Sequence, residues 1–176
     1  NKKNDKKILL PFFVTVRNGN KKYIETVRKG NRRVLNARLS DARFFYRDDQ
    51  KKRIQDFCNR AKNVVFFQNR GSQSERVQRI IILSKFIGEN LNLSLRQQKN
   101  ILRISELCKF DLETQMVQEF PKLQGFMGSN YASLKKEPDI VCRGIREHYF
   151  PRNKNDLFPR DLETVSVALA DKIDLL

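Results

Sequence analysis

Apolar residues recur every three or four positions over most of this chain, which is the spacing of one face of an α-helix. Two helix starts are marked by capping boxes, Ser72 with Glu75 and Ser94 with Gln97. In a capping box each side chain accepts a hydrogen bond from the other residue's backbone amide. Each pair is therefore predicted to open a helix. The inner faces of these two helices are Val77, Ile80, Ile81, Ser84, Ile87 and Leu91, then Leu95, Leu102, Ile104 and Leu107.

The segment before Gly71 has the same helical spacing from Tyr23 onward. Gly30 and Asn31 are predicted to divide this stretch into two helices, because glycine weakens a helix interior. A further helix is predicted around 54–61. The run 64–67 fits either a helix end or a short buried segment.

The second half of the chain adds three more predicted helix starts, at Asp111, at Pro138 and at Leu162, with a polar loop over 153–160. Proline suits the first turn of a helix. Between the first two starts, Pro121 is followed by Gly125 and Gly128. Proline removes a backbone donor and glycine permits unusual dihedrals, so this run fixes a particular backbone path.

The start of the chain differs from the helical body. Residues 12–16 are aromatic and β-branched and precede a turn signal at 17–20, which predicts a strand. A single strand is not stable alone, so it is expected to belong to a sheet whose other strands lie outside this sequence. The fold class is therefore mainly α, preceded by a strand remnant. Residues 1–30 are predicted to end a preceding domain and 31–176 to form a helical domain cut at its C-terminal end.

Charge points to a polyanionic partner. The 36 Lys and Arg exceed the 20 Asp and Glu by 16 charges, which is typical of proteins that bind nucleic acid or anionic membranes. Codon bias toward lysine is the alternative, but half of the cations are arginine. Residues 1–53 carry a net charge of +12. Candidate RNA-binding residues in this region are Arg28, Arg32, Arg33, Arg38, Arg43 and Arg47.

A solvated helix surface is the other interpretation of these arginines, with Arg38 paired to Asp41. No apolar stretch approaches the length of a membrane span. We therefore expect a soluble, cytoplasmic protein without a membrane partner.

Candidate catalytic chemistry is sparse. His148 is the single histidine, so a metal site with two imidazole ligands is impossible within this chain. The three cysteines form no C-x-x-C pair, which favours a reducing compartment and thiols that pack as small apolar groups. Asp171 and Asp174 lie one helical turn apart and could bind a cation. The alternative is one buried acid hydrogen-bonded across helices and one solvated acid.

Five segments together carry a family resemblance. They are 38–46 (RLSDARFFY), Gly71-Ser72, 116–128 (MVQEFPKLQGFMG), 147–151 (EHYFP) and 169–174 (LADKID). In this order they resemble the beta subunit of the bacterial-type, two-subunit glycyl-tRNA synthetase. The resemblance covers nearly the whole chain.

The resemblance implies a middle piece of that subunit containing its HD-like helical domain, whose fold is related to metal-dependent phosphohydrolases. Glu119-Phe120 aligns with the His-Asp pair of active HD enzymes, and only Asp171 matches their closing aspartate. No catalytic residue and no metal is therefore expected here. The residues expected to maintain the family structure are Asp41, Glu119, Gly125, Gly128, His148 and Asp171.

The resemblance also implies tRNA(Gly) and the synthetase alpha subunit as partners, with ATP and magnesium used by the whole enzyme and no cofactor in this piece. An HD-type phosphohydrolase and a protein-interaction module for the alpha subunit are the alternatives. The chain departs from the family pattern at Phe110 and Gly144, where alanine is usual, and at Lys136, where glycine is usual.

Overall fold

The computed structural model describes residues 10–20, 22–67 and 70–176. Within this part the chain is mainly α-helical, as predicted, and contains one small antiparallel sheet. The helices are α1 (Ile24–Lys51), α2 (Ile54–Arg60), α3 (Gln73–Asn90), α4 (Leu95–Leu107), α5 (Gln115–Glu119), α6 (Phe126–Leu134), α7 (Asp139–Glu147) and α8 (Leu162–Ile173), and the strands are β1 (Val65–Phe67) and β2 (Gly71–Ser72). Short 3-10 turns lie at Ala61–Asn63, Phe110–Glu113 and Pro121–Leu123.

The chain divides into two compact units, Asn1–Arg38 and Leu39–Leu176. In the first unit, 12–16 is not paired in a sheet within the described residues. Its expected partner strands lie outside this sequence, so the strand stays a prediction. A strand needs a hydrogen-bonded partner to persist. The lysine-rich start at 1–9 and Lys21 lie outside the described residues. The domain boundary after residue 30 stays a prediction.

Helix α1 runs without interruption, so the predicted break at Gly30 is wrong. One glycine in a helix interior costs only about 1 kcal/mol relative to alanine. Long unbranched side chains such as Arg28, Lys29 and Arg32, which favour helix, surround it. The local preference of the neighbours therefore outweighs the single weak position.

Both capping boxes are confirmed. The Ser72 amide donates to Glu75 Oε2 at 2.6 Å and the Glu75 amide donates to Ser72 Oγ at 3.2 Å. Ser94 and Gln97 exchange the same two bonds at the start of α4. Both interpretations of 64–67 are wrong, because Val65 is 72% exposed and lies in β1, which pairs with β2.

The core of the second unit lies where α3, α4, α7 and α8 pack together. Ile80, Ile101, Ile104, Ile145 and Val167 are each 0 or 1% exposed. Close approach between α4 and α7 depends on Gly144. A Cβ there would lie 2.5 Å from Ile104 Cδ1.

This packing also places three chemically distinctive side chains together. Lys109 follows α4, His148 ends α7 and Asp171 lies in the last turn of α8. All three are buried. The helical core therefore builds a polar interior site from residues far apart in the sequence.

Candidate functional site

The interior site is a cluster of charges at the ends of α4, α7 and α8 and the start of α3. We call it the buried ionic cluster. It comprises Arg76, Lys109, His148, Asp171 and Asp174, each 8% exposed or less. Charged side chains are almost never this buried unless they are paired, so the contacts among them decide what the cluster can do.

Lys109 lies at the centre of the buried ionic cluster. Its ammonium donates to Asp171 Oδ2 at 2.7 Å and to His148 Nε2 at 3.0 Å. It also lies 4.0 Å from the centre of the Tyr149 ring. His148 Nδ1 is 2.8 Å from the Ile145 carbonyl, which can only accept, so Nδ1 carries the proton and Nε2 accepts from Lys109.

Asp171 in the last turn of α8 and Asp174 just after that helix face the arginines of α3. Asp171 Oδ1 accepts from Arg76 at 2.8 Å, and Asp174 accepts from Arg79 Nε at 2.5 Å. Asp174 Oδ2 is also 3.5 Å from Arg76 Nε. The expectation of one solvated acid is wrong, because α3 presents an arginine to each carboxylate.

Burial and the ammonium set the protonation of this site. The pKa of His148 lies well below its ordinary value, first because the ring is buried and then because Lys109 adjoins it. Burial acts to raise the pKa of Asp171, but the positive charges of Lys109 and Arg76 act to lower it. The lowering effects together are larger, so the pKa of Asp171 lies below its usual value. The site therefore holds a neutral imidazole and an ionised carboxylate around a protein-borne cation.

The ligand-type atoms of this site already bond to the protein's own cations. Over 10–20, 22–67 and 70–176, no group of three His, Cys, Asp or Glu could hold a metal ion. The residue beside Asp171 is Lys109, whereas Glu119 is exposed on α5. The alignment of Glu119-Phe120 with the His-Asp pair stays a prediction. The HD-like relationship itself stays a prediction.

The glycines that follow Pro121 bind a buried carboxylate. The amides of Gly125 and Gly128 donate to Asp111 Oδ2 at 2.6 and 3.0 Å. Gly125 has φ +79, and a Cβ on Gly128 would lie 2.9 Å from that same oxygen. These glycines therefore allow the first turn of α6 to close on Asp111. Burial raises the Asp111 pKa to about 6, although both amides oppose this shift.

Sequence reasoning missed a second buried aspartate. Asp49, in the last turn of α1, accepts from the amides of Gln115 and Met116 at 3.1 and 3.0 Å. The Tyr131 hydroxyl donates to it at 3.2 Å. Asp49 thus accepts hydrogen bonds from the first two backbone amides of α5, which have no acceptor within the helix. Its only sequence signal is an acid at the end of a helix, where acids are unfavourable.

The cysteines behave as small apolar groups. All three are free, Cys108 and Cys142 are buried, and Cys58 is half-buried. Burial raises the pKa of the Cys108 thiol to about 12. Such a thiol is protonated and unreactive at neutral pH.

The arginines predicted to bind RNA are all exposed. In the first unit, Arg28 pairs with Glu25 at 2.8 Å, both side chains being largely solvated. Arg32, Arg33 and Arg38 follow on the same helix. Exposed ion pairs of this kind contribute about 0–1 kcal/mol, so Arg28 remains available to an anion.

The second unit presents Arg43 and Arg47 on the outer side of α1. They are four residues apart and so neighbour each other along one helix face. Phe44, 62% exposed, lies beside them. The opposite side of this segment carries Tyr46, which stacks on Tyr131, and the buried Asp49. Asp41 is exposed on the same helix.

Among the helices of the described residues, none has the length and apolar character required to cross a membrane.

Comparison with known proteins gives a consistent family. The family model described as the glycyl-tRNA synthetase beta subunit matches residues 2–176. The glycine–tRNA ligase beta subunit of Halalkalibacterium halodurans is 45% identical over 99% of this chain. Those of Shouchella clausii and Bacillus subtilis are 47% and 42% identical over 94% and 96% of it.

The chain spans about a quarter of the length of these relatives, 25%, 24% and 25% respectively. The similarity therefore concerns one part of a longer subunit.

Proposed function

The chain belongs to the glycyl-tRNA synthetase beta subunit family, and we propose that it helps to bind tRNA(Gly) and to scaffold the subunit of a glycine–tRNA ligase. The whole enzyme would use ATP, with magnesium, to activate glycine and would then transfer the glycyl group to the tRNA. This chain would catalyse no step alone. The synthetase alpha subunit is the proposed protein partner, and a cytoplasmic location stays a prediction.

The exposed arginines of α1 are the observation that carries the RNA-binding part. Arg43 and Arg47 are solvent-exposed, adjacent on one helix face and free of a carboxylate partner within the described residues. The phosphates of a nucleic acid can pair with these two arginines, because guanidinium groups bind phosphate in bidentate geometry. Together with the net charge of +16, this favours a polyanion over a neutral protein surface.

The buried ionic cluster supports the scaffolding part. The Lys109 ammonium lies between His148 and Asp171 and donates a hydrogen bond to each. The cluster joins α3, α4, α7 and α8 and exposes almost nothing to solvent. It thereby fixes the helices against one another, and no observation favours the phosphohydrolase alternative over this role.

The RNA-binding part is tested by removing the two charges on the second unit. We expect the double variant Arg43→Gln, Arg47→Gln to bind tRNA(Gly) roughly ten-fold more weakly than the wild type at moderate salt. Its salt slope should fall by about 1.8, because each lost phosphate contact removes about 0.9. Fluorescence anisotropy with labelled tRNA measures both quantities.

The matched control is Arg96→Gln, Lys99→Gln, which removes the same charge from exposed positions on α4. Equal weakening by the two double variants would show a net-charge effect and contradict contact by Arg43 and Arg47. An unchanged affinity in the first variant would contradict it equally.

A further inference from the structure

A second basic surface lies far along the chain from the arginines of α1. Phe126 begins α6, Arg146 lies in the last turn of α7, and Arg152 follows in the next loop. The guanidinium carbons of Arg146 and Arg152 are 4.3 and 5.3 Å from the centre of the Phe126 ring. We call these three residues the arginine–phenylalanine cluster. Both arginines are exposed, and Phe126 is 40% exposed.

The two positive charges of this cluster share one aromatic ring and have no carboxylate partner. Neither guanidinium forms an ion pair within 10–20, 22–67 and 70–176. The Arg152 guanidinium donates to the Gln124 carbonyl at 3.1 Å, a neutral acceptor. Each cation–π contact offsets part of the mutual repulsion but does not neutralise it. The geometry therefore leaves a place for an anion next to two guanidiniums.

The carboxylates nearest to Arg146 and Arg152 in sequence, Glu147 and Asp156, bind other groups. Glu147 is buried, and it pairs with Arg160 at 3.3 Å and accepts from the Arg160 amide. Asp156 accepts from the amides of Arg152 and Leu157. Both carboxylates thus shape the loop and leave the Arg146 and Arg152 side chains without an acidic partner.

The same loop supplies an open aromatic ring and a further cation. Phe158 is 76% exposed, and Lys154, four residues earlier, is exposed as well. Unpaired nucleotides bind proteins by stacking their bases on aromatic rings or on guanidinium planes while cations contact the phosphates. Bases within a duplex are already stacked and cannot bind in this way.

We propose that the arginine–phenylalanine cluster and Phe158 bind unpaired nucleotides of an RNA. The proposal rests on the tRNA-binding function above and specifies a single-stranded segment at this surface. Arg146 and Arg152 contact consecutive phosphates, and a base stacks on the Phe158 ring. None of these residues belongs to the arginine set of α1.

The test compares a labelled single-stranded RNA of about 12 nucleotides with the same sequence as a duplex. We expect the 176-residue chain to bind the single strand more tightly. The variant Arg146→Gln, Arg152→Gln should weaken single-strand binding about ten-fold and lower its salt slope by about 1.4, since each contact with a single strand contributes about 0.7. Phe158→Ala should weaken it about five-fold without changing the slope, because stacking carries no charge.

The control is again Arg96→Gln, Lys99→Gln. Equal affinities for the single strand and the duplex overturn the proposal. So does an equal loss of single-strand affinity in Arg146→Gln, Arg152→Gln and in the control. If Arg43→Gln, Arg47→Gln weakens tRNA binding while Arg146→Gln, Arg152→Gln does not, this surface is excluded and the proposed function stands. If neither RNA binds, the proposed function fails as well. Tight binding of a poly-glutamate peptide in place of RNA would show a protein-binding surface and also overturn the proposal.

Discussion

Replacing Lys109 by methionine tests the buried ionic cluster. Methionine keeps most of the side-chain volume and removes the ammonium. Asp171 then loses its bond at 2.7 Å, and His148 Nε2 loses its donor. Asp171 keeps the bond from Arg76 at 2.8 Å, so the carboxylate stays partly compensated.

The size of the stability loss in Lys109→Met follows from the burial of the ion pair with Asp171. At an effective dielectric constant of about 20, charges 2.7 Å apart attract by about 6 kcal/mol. Desolvation of the pair offsets much of this attraction. Breaking a buried ion pair from one side costs about 3–5 kcal/mol. Because Arg76 remains, we expect Lys109→Met to lower the free energy of unfolding by about 3 kcal/mol at pH 7.

The loss should depend on pH. In the wild type the folded-state pKa of Asp171 lies below 3.8 and that of His148 well below 6.5. Each group therefore adds stability that is present above its unfolded pKa and is lost as the pH falls through its folded pKa. Without the ammonium both folded pKa values rise. The difference between wild type and variant should be largest above pH 6.5 and shrink toward pH 4.

Urea unfolding followed by circular dichroism measures the loss across this pH range. The double variant Lys109→Met, Asp171→Asn should cost less than Lys109→Met alone, since it leaves no uncompensated carboxylate. Lys99→Met, at an exposed position of α4, is the control. A loss below about 0.5 kcal/mol, the range of ordinary surface substitutions, would refute the pairing, as would a loss that does not change with pH.

Three further variants test the packing and the buried carboxylate. Gly144→Ala should lower the free energy of unfolding by about 1–3 kcal/mol, because its Cβ would lie 2.5 Å from Ile104 Cδ1, and adding Ile104→Val should recover part of the loss in urea unfolding. Lys136→Gly should raise the melting temperature, since Lys136 has φ +65 and left-handed backbone costs a non-glycine residue about 1–2 kcal/mol, whereas Lys135→Gly, with φ −91, should not. Asp111 has a folded-state pKa raised to about 6 from 3.8, so its contribution to stability is full below pH 3.8 and lost as the pH rises through 6. Asp111→Asn should abolish this decline in pH-dependent thermal unfolding.

Local signals predicted the helices that begin with a cap. Ser72 with Glu75 and Ser94 with Gln97 involve only neighbours within one turn, so their geometry is encoded in four residues. The predicted break at Gly30 failed because a single glycine is a small local cost within a long run of helix formers. The pairing of 65–67 with 71–72 was not predicted, because the intervening sequence carries no strong hairpin signal.

The buried ionic cluster could not be read from local pattern. Lys109 contacts Asp171 across 62 residues of sequence, and helical spacing does not reveal such a partner. Charged and apolar residues are mixed over 106–113 (ELCKFDLE), so this stretch does not single out Lys109 as buried. The family resemblance selected Asp171 and His148 but did not identify Lys109 as their partner.

The salt dependence of tRNA(Gly) binding by this chain tests the central claim, contact between its exposed arginines and RNA phosphates. Anisotropy titrations at salt concentrations from about 50 to about 200 mM give the slope of log affinity against log salt. We expect a slope of about −1.8 or steeper, because the contacts of Arg43 and Arg47 contribute about 0.9 each. A slope near zero, or no binding at the lowest salt, would contradict the account.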